Sequence, residues 1–485
     1  MPARKLLPIA WLVALLVAPA AIWAGGGRQA LLDNRPKTAF PAKNIKSLRH
    51  DATYRQFDAA FFERLPVRAR ALSIHGKIAV DLFHDSSAPD VVLGHHGYRY
   101  FTPGTRTCGD SPPAHDPADA AQILALTLVA AGKRALVLEP ADKLFIHPQD
   151  VPAGADGLER LACARALQAQ VEQRLLATKG GGSIDEALRT LEAGGTPTYL
   201  KTDTHWNGTG RLIYIRRVLD ALRPGLSGQM GVGLGPQYDR QGDLNSMLGL
   251  ISTTERDRLV VARRPASPPF APGEALVVGD SQTERSFTDP LPGNAPPLAQ
   301  TALKGVTFCS IPHVIDMTCD QAILRARSMV VESVGRNLID FDTMCGRPVG
   351  LLAARLTGPR GSYRSADDRP RPDAEQVRIG EAGTDTVTLR APGGDAAPYP
   401  RLIRLPIVRN PKGGGVAMTQ QPRTGLAAPC QGAAGGSMVL AVPAHRKLSD
   451  LPIVLQATAG VVLGAPRTIA LDGSPAPRAA TREHR

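Results

Sequence analysis

Between residues 91 and 138 the hydrophobic period changes twice, and that alternation limits the fold more than any figure of composition. VVLG at 91–94 is a short continuous apolar run of the kind that forms a buried strand. Asp116-Pro117 then supplies an N-cap with proline at the first helical position, AAQILALTLVAA continues the helix, and Gly132 ends it. RALVLEP returns to a strand. A strand, a helix and a strand in that order argue for a parallel sheet.

The same texture continues downstream. A second helix is expected over Leu158 to Leu176, where Leu161, Ala164, Leu167, Val171 and Leu175 recur at three- and four-residue steps. A third starts after Asn207, carries Leu212, Ile215, Leu219 and Leu222 on one face, and closes at Pro224. ALVVGDS and SMVVES each read as a strand ending in a polar turn, so an α/β arrangement is expected from about 70 to 347. Beyond Arg347 helical periodicity disappears. VTLRA, RLIRLPIV, SMVLAV and LPIVLQA alternate there with glycine- and proline-rich turns, which predicts a smaller antiparallel β-sandwich-like domain over 350–475 and a disordered tail over 476–485.

The N-terminus supplies an address. Arg4-Lys5 precedes a charge-free run of about nineteen residues, Leu6 to Ala24, which fits either an export signal or an uncleaved membrane anchor within residues 1–27. In both cases the remainder is exported. All six cysteines lie downstream and none forms a CxxC spacing, as expected of disulfides in an oxidising compartment. Six thiols allow fifteen pairings. Order along the chain favours Cys108 with Cys163, Cys309 with Cys319 and Cys345 with Cys430. The net charge of +13 would suggest nucleic acid in a cytoplasmic protein; in an exported one it points to an acidic polymer or an anionic membrane.

KTDTHWNGTG at 201–210 carries the chemistry. Positions i and i+2 of an extended or turn segment face the same way, so Asp203 can fix the tautomer of His205 and leave its other nitrogen as a base. Ser281, in GDS at the end of a hydrophobic strand, places a hydroxyl at the sheet rim, with backbone N–H groups of the following turn as oxyanion donors. Asp-x-His is also the pattern of half a metal site, but the nearby chain offers no third ligand at recognisable spacing.

Asp203-Thr204-His205-Trp206-Asn207 resembles the DTHWN signature of the exported SGNH-hydrolase-like alginate O-acetyltransferases. LLDNRP at 31–36, VVLGHHGYRYF at 91–101, LEPADKLFIHP at 138–148, GDLNSML at 242–248, VVGDS at 277–281 and VVESVGRNL at 330–338 are similar to further blocks of that family, in its order. The resemblance spans roughly residues 30–340 and implies an SGNH-hydrolase-like catalytic domain over 28–347. It further implies Ser281 as nucleophile, His205 as base and Asp203 as its orienting acid, with Trp206 packed under the loop and Asn207 capping the next helix. Two departures stand out. Tyr98, preceded by His95 and His96, replaces an aromatic of the family, and Gly335 replaces a glutamate.

What the resemblance implies is O-acetylation of an exported, alginate-like acidic polysaccharide in the periplasm, without cofactor or metal. The implied partners are a membrane-bound O-acyltransferase as acetyl source and other polysaccharide biosynthesis or secretion proteins; no nucleic acid is implied. Lys201 could favour an acidic polymer or be a solvated loop lysine. The C-terminal region could hold sugar, yet its only aromatics are Tyr363 and Tyr399. Two other readings use the same residues: an acetylesterase, in which water replaces the sugar hydroxyl, and a non-catalytic scaffold of a secretion complex.

Overall fold

The computed structural model describes residues 38–41, 51–62, 66–108, 116–155, 158–250, 253–263, 265–289, 296–315 and 318–356. Within the C-terminal part it describes 377–379, 386–389, 399–409, 416–420, 430, 432–434, 437–446, 453–457, 462–463 and 467–472. The apolar run 6–24, the block at 31–36 and the tail at 476–485 lie outside these residues. Among them no helix is long and apolar enough to cross a membrane.

A five-stranded parallel sheet organises the α/β part. It contains β3 (Arg134–Leu138), β4 (Gly181–Gly182), β7 (Ala275–Gly279), β8 (Val306–Ser310) and β9 (Ser328–Glu332), in the spatial order β4-β3-β9-β7-β8. Strands in such a sheet are covered on both faces and alternate side chains between two cores. Val137, Leu276, Val278, Met329 and Val331 enter one apolar cluster, whereas Leu136, Leu138, Ala275, Val277 and Val330 enter the other.

Each core has its own helices. On the first face lies α1 (Pro117–Ala130), capped by the Asp116 carboxylate, which accepts from the Ala118 N–H at 2.9 Å. Its apolar residues run all round the helix because it is covered on every side: by the sheet, by α2 (Leu161–Leu176), and by a later helix. On the second face lies α4 (Gly208–Leu222), preceded in the chain by α3 (Asp185–Ala193). Asn207 caps α4 as its sequence predicts, its Oδ1 accepting from Thr209 N at 2.9 Å and Gly210 N at 3.1 Å.

One expectation is corrected. VVLG is not the strand of a strand-helix-strand unit in the parallel sheet. It forms β1 (Val91–Leu93), paired antiparallel with β2 (Arg99–Phe101) in a separate two-stranded sheet. The reason is local: His96 and Gly97 both adopt positive φ, 51° and 81°, and reverse the chain before it can cross over. A second antiparallel pair, β5 (Gly233–Gln241) with β6 (Thr254–Val261), is inserted between α4 and β7, before the short helix α5 (Ser281–Phe287).

The helical stretch is also longer than periodicity suggested. α6 (Leu338–Leu356) continues past Arg347 and packs on α1. Beyond it two antiparallel sheets form. One orders β10 (Val377–Ile379), β11 (Thr386–Leu389), β16 (Ile453–Ala457) and β13 (Val416–Gln420). The other orders β14 (Gly432–Ala434), β15 (Ser437–Val442), β12 (Arg401–Arg409) and β17 (Val462–Leu463), with β18 (Arg467–Ala470) also on β12. Leu402, Cys430, Val439, Ala441 and Ile469 join the same apolar cluster as α1 and α6. The disulfide Cys345–Cys430 fastens this packing, and Cys108–Cys163 and Cys309–Cys319 complete the three pairings expected from chain order.

Candidate active site

Ser281 is the first residue of α5, directly after the carboxyl end of β7. The turn is tight: a Cβ on Gly279 would lie 2.0 Å from Thr283 Oγ1, so only glycine lets the helix follow the strand this closely. Asp280 caps α5 through Oδ1, which accepts from Gln282 N at 2.8 Å. Its Oδ2 accepts from Val334 N at 3.0 Å and Asn337 Nδ2 at 2.9 Å, which ties the end of β7 to the segment after β9. The Gln282 N–H, one of the donors expected for an oxyanion, is therefore committed to the cap.

Asp203 and His205 arrive from the other direction, on the loop before α4. The two are joined twice: His205 Nδ1 lies 2.6 Å and the His205 backbone N–H 2.9 Å from Asp203 Oδ1. His205 Nε2 lies 3.0 Å from Ser281 Oγ, across 76 positions of sequence. The structure thus brings together all three residues that the sequence singled out. Asp203 and His205 are buried, whereas Ser281 is partly open to a cleft of about 760 Å³.

Electrostatics fix the charge of the relay. Burial by itself would raise the Asp203 pKa, but the guanidinium of Arg240 on β5, 3.1 Å from Asp203 Oδ2, and the imidazole of His205 hold its carboxyl well below the usual range. Arg240 is buried too, which would favour loss of its proton, yet the charge of Asp203 raises its pKa further. At neutral pH an ionised carboxylate therefore faces the imidazole.

Several residues that hold this geometry carry no role in the sequence reading. Gln282 Nε2 donates to Thr204 O at 3.2 Å, linking the serine helix to the histidine loop. Beneath that loop, Lys143 Nζ donates to the carbonyls of Leu200 at 3.1 Å, Lys201 at 3.0 Å and Asp203 at 2.7 Å. Burial lowers the Lys143 pKa to about 8 against the pull of Asp243, Asp142 and Asp203. Arg336 reaches Asp142 at 2.8 Å and Thr204 O at 3.4 Å. Lys143 and Arg336 fall in blocks quoted above, so their positions were visible although their contacts were not.

Asp243, from GDLNSML, places Oδ2 3.3 Å from His205 Nδ1, and it forms with Asp203 and His205 a group whose ligand atoms lie within 4.8 Å of one another. It is the third ligand that the local spacing lacked. The donors are nevertheless committed to the protein. Nδ1 faces Asp203, Asp243 accepts from Thr204 N at 2.7 Å and Thr204 Oγ1 at 2.5 Å, and Arg240 already supplies a cation at Asp203. That arrangement orients an imidazole and fits a metal ion poorly.

The remaining residues of the motifs are structural. Trp206 is buried between Tyr199 and Tyr214, with ring centroids 6.5 and 4.8 Å away. Lys201 turns from the cleft, donating to His96 O at 3.0 Å, with Nζ 5.2 Å from the Tyr98 ring centroid. Tyr98 stacks on His147 at 3.9 Å, and His147 bridges Asp150 at 2.7 Å and Glu192 at 3.0 Å. His96 meets the same Asp150 at 2.5 Å. At Gly335, where the family resemblance implies glutamate, a Cβ would lie 1.8 Å from Gln168 Oε1, so Gln168 and Glu139 fill the space a side chain would need.

Residues 91–285 match the family model described as SGNH hydrolase-like domain, acetyltransferase AlgX. The resemblance carried by the motifs is borne out on this segment. Among solved structures the chain is similar to the O-acetyltransferase domain of Pseudomonas putida AlgJ, at 14% identity over 52% of this chain and 93% of that one, with a TM-score of 0.36. It is also similar to Pseudomonas aeruginosa AlgX (12% identity, 78% and 94% covered, TM-score 0.33) and Bacillus cereus PatB1 with a sulfonyl adduct (11%, 51% and 97%, 0.30). No curated protein sequence matches the chain.

Proposed function

We propose that this acetyltransferase-like chain carries an acetyl group on Ser281 and delivers it to a hydroxyl of an exported polysaccharide. The observation that carries the reading is the relay from Asp203 through His205 to Ser281, 2.6 and 3.0 Å long, within a segment matching an acetyltransferase family. Ser281 Oγ attacks the acetyl carbonyl of the donor while His205 Nε2 takes its proton. The tetrahedral intermediate collapses, His205 returns that proton to the leaving group, and an acetyl-serine remains. An acceptor hydroxyl then gives its proton to His205 and attacks the acetyl carbon; Ser281 leaves and recovers the proton. Asp203, held ionised by Arg240, stabilises the imidazolium in both halves.

In this reading the chain works in the periplasm, released by signal cleavage or tethered through residues 6–24, and its disulfides suit that compartment. A membrane-bound O-acyltransferase supplies acetyl, other secretion proteins present the polymer, and the site itself needs no cofactor. The test is intact mass of the protein after brief exposure to an activated acetyl ester, for wild type and Ser281→Ala, with and without oligosaccharide. A single acetyl adduct that Ser281→Ala abolishes, and that passes to the sugar, is the expected result. Discharge to water at the same rate with or without sugar would favour an esterase; no adduct and no ester turnover would end the catalytic reading.

A further inference from the structure

A serine that takes up an acetyl group needs donors for the negative charge that appears on the carbonyl oxygen in each tetrahedral intermediate. Backbone N–H groups of the turn at the nucleophile are the ordinary source, but Asp280 Oδ1 holds the Gln282 N–H at 2.8 Å and so withdraws one of them. Asn337 is engaged as well, its Nδ2 donating to Asp280 Oδ2 at 2.9 Å. Among the described residues, Arg285 and Arg336 bring guanidiniums to the cleft that Ser281 lines. They differ in how firmly they are held. The Arg336 side chain is 8% exposed, and its Nη1 lies 2.8 Å from Asp142 and 3.4 Å from Thr204 O, the same carbonyl that accepts from Gln282 Nε2 at 3.2 Å. The Arg285 side chain is 27% exposed, and its Nε lies 3.7 Å from the carboxylate of Asp289, itself 46% exposed.

Nη2 and Nε of Arg336 have no partner among the described residues, and neither have the Nη atoms of Arg285. Only in Arg336 is the remainder of the group anchored. A guanidinium tethered through one nitrogen and open at the others presents a planar set of donors in a fixed direction. Because Thr204 precedes His205 and its carbonyl also holds the residue after Ser281, the tether pins this group where the histidine loop meets the serine helix. Burial opposes the charge of Arg336, but Asp142 and Asp280 raise its pKa above the usual arginine value, so it stays cationic. We infer that Arg336 is a catalytic residue that donates to the acetyl carbonyl oxygen as it becomes an oxyanion, both when Ser281 is loaded and when it is discharged. In each half the C=O π pair moves onto that oxygen as the nucleophile attacks and returns as the leaving group departs; Arg336 keeps its protons throughout. The inference rests on the transferase reading above.

The test follows pre-steady-state release of 4-nitrophenol as the full chain is loaded from 4-nitrophenyl acetate. The donor is neutral and no sugar is present, so an arginine that only binds an acceptor's carboxylate would leave this rate unchanged. Arg336→Ala is expected to lower the acylation rate by about 10²–10³-fold at a similar half-saturating ester concentration, and added guanidinium to restore part of the loss. Arg336→Lys, which keeps a cation for Asp142 but loses the planar donors, is expected to lose about 10²-fold and covers the case in which the alanine variant does not fold. Asp142→Asn, which loosens the tether and leaves the guanidinium in place, and Arg285→Ala are each expected to lose less than about tenfold. Equal losses in Asp142→Asn and Arg336→Lys would make Arg336 a strut, and a larger loss in Arg285→Ala would give the role to that residue. Either result would overturn the inference, as would an effect confined to the half-saturating concentration or an Arg336→Lys protein that acylates like wild type. Absence of acetyl on Ser281 in the wild type would remove the transferase reading and this inference together.

Discussion

The two ends of the parallel sheet are built from opposite materials. At the carboxyl ends of the strands the relay is surrounded by buried ionisable groups: Asp203 and Lys143, and Glu139, Asp185 and Glu332, whose pKa values burial raises. At the amino ends a second cavity of about 610 Å³ is lined by Arg134, Arg223 and Arg327, with Glu274 as its acid. Arg134 donates to Leu222 O at 3.2 Å, the last residue of α4, and Arg223 follows it and donates to Pro269 O at 2.9 Å. α4 begins beside the histidine loop and α5 begins at Ser281, so positive helix ends face the relay and the negative end of α4 faces arginine. The positive balance of the whole chain therefore says little about the charge a substrate meets. Buried, shifted groups are costly, and this molecule concentrates them around one serine.

The sharpest way to break that comparison is to alter each end in turn. Ser281→Ala is expected to lower aryl acetate turnover by about 10⁴-fold or more, whereas Arg327→Ala, at a side chain 85% exposed at the other end, should change it by less than about twofold. Comparable losses at both ends would undo the assignment. Asp203→Asn should cost about 10³–10⁴-fold in kcat, because an amide can stabilise the wrong tautomer. Its stability signature has a definite sign. The folded pKa is depressed, so the contribution of Asp203 is complete above the unfolded value of about 3.9 and disappears as pH falls through the depressed one. Denaturant titrations of wild type and Asp203→Asn should therefore converge only below about pH 4.

Asp185 sharpens the comparison through stability alone. Its pKa is raised to about 7, chiefly by burial, while Oδ1 accepts from Ala141 N at 2.9 Å just beyond β3. A carboxyl with a raised folded pKa stabilises fully below its unfolded pKa and less as pH rises toward 7. Wild type should lose on the order of 2–4 kcal/mol between about pH 4 and 7, and Asp185→Asn should lack that slope. Parallel pH profiles for the two proteins would contradict the assignment. A smaller catalytic loss than at the relay itself is expected of Lys143→Met, which withdraws three hydrogen bonds from the histidine loop: kcat about tenfold lower, with the KM for a small acetyl ester little changed. A change confined to KM would mean that Lys143 shapes the cleft instead of the relay.

How much of this was legible depends on the range over which each interaction acts. The caps at Asp116 and Asn207, the strands ending at Gly279 and Glu332, and the pairing of Asp203 with His205 are set by residues a few positions apart. The blocks containing Asp142, Lys143 and Asp243 were visible as motifs, but their partners lie on other elements. Arg240 had no signal at all. It sits in GLGPQYDRQ, which pairs with β6 as a strand despite two glycines and a proline.

The sequence by itself determined the period of the central strands, the caps at Asp116 and Asn207, the class of the sheet and the pairing of Asp203 with His205, because capping, alternation and i to i+2 geometry are local. Only the tertiary structure decided that the C-terminal strands share a core with α1 and that Ser281 lies 3.0 Å from His205. Those outcomes depend on contacts between segments tens to hundreds of residues apart, where burial and packing select the partner and no local preference encodes it.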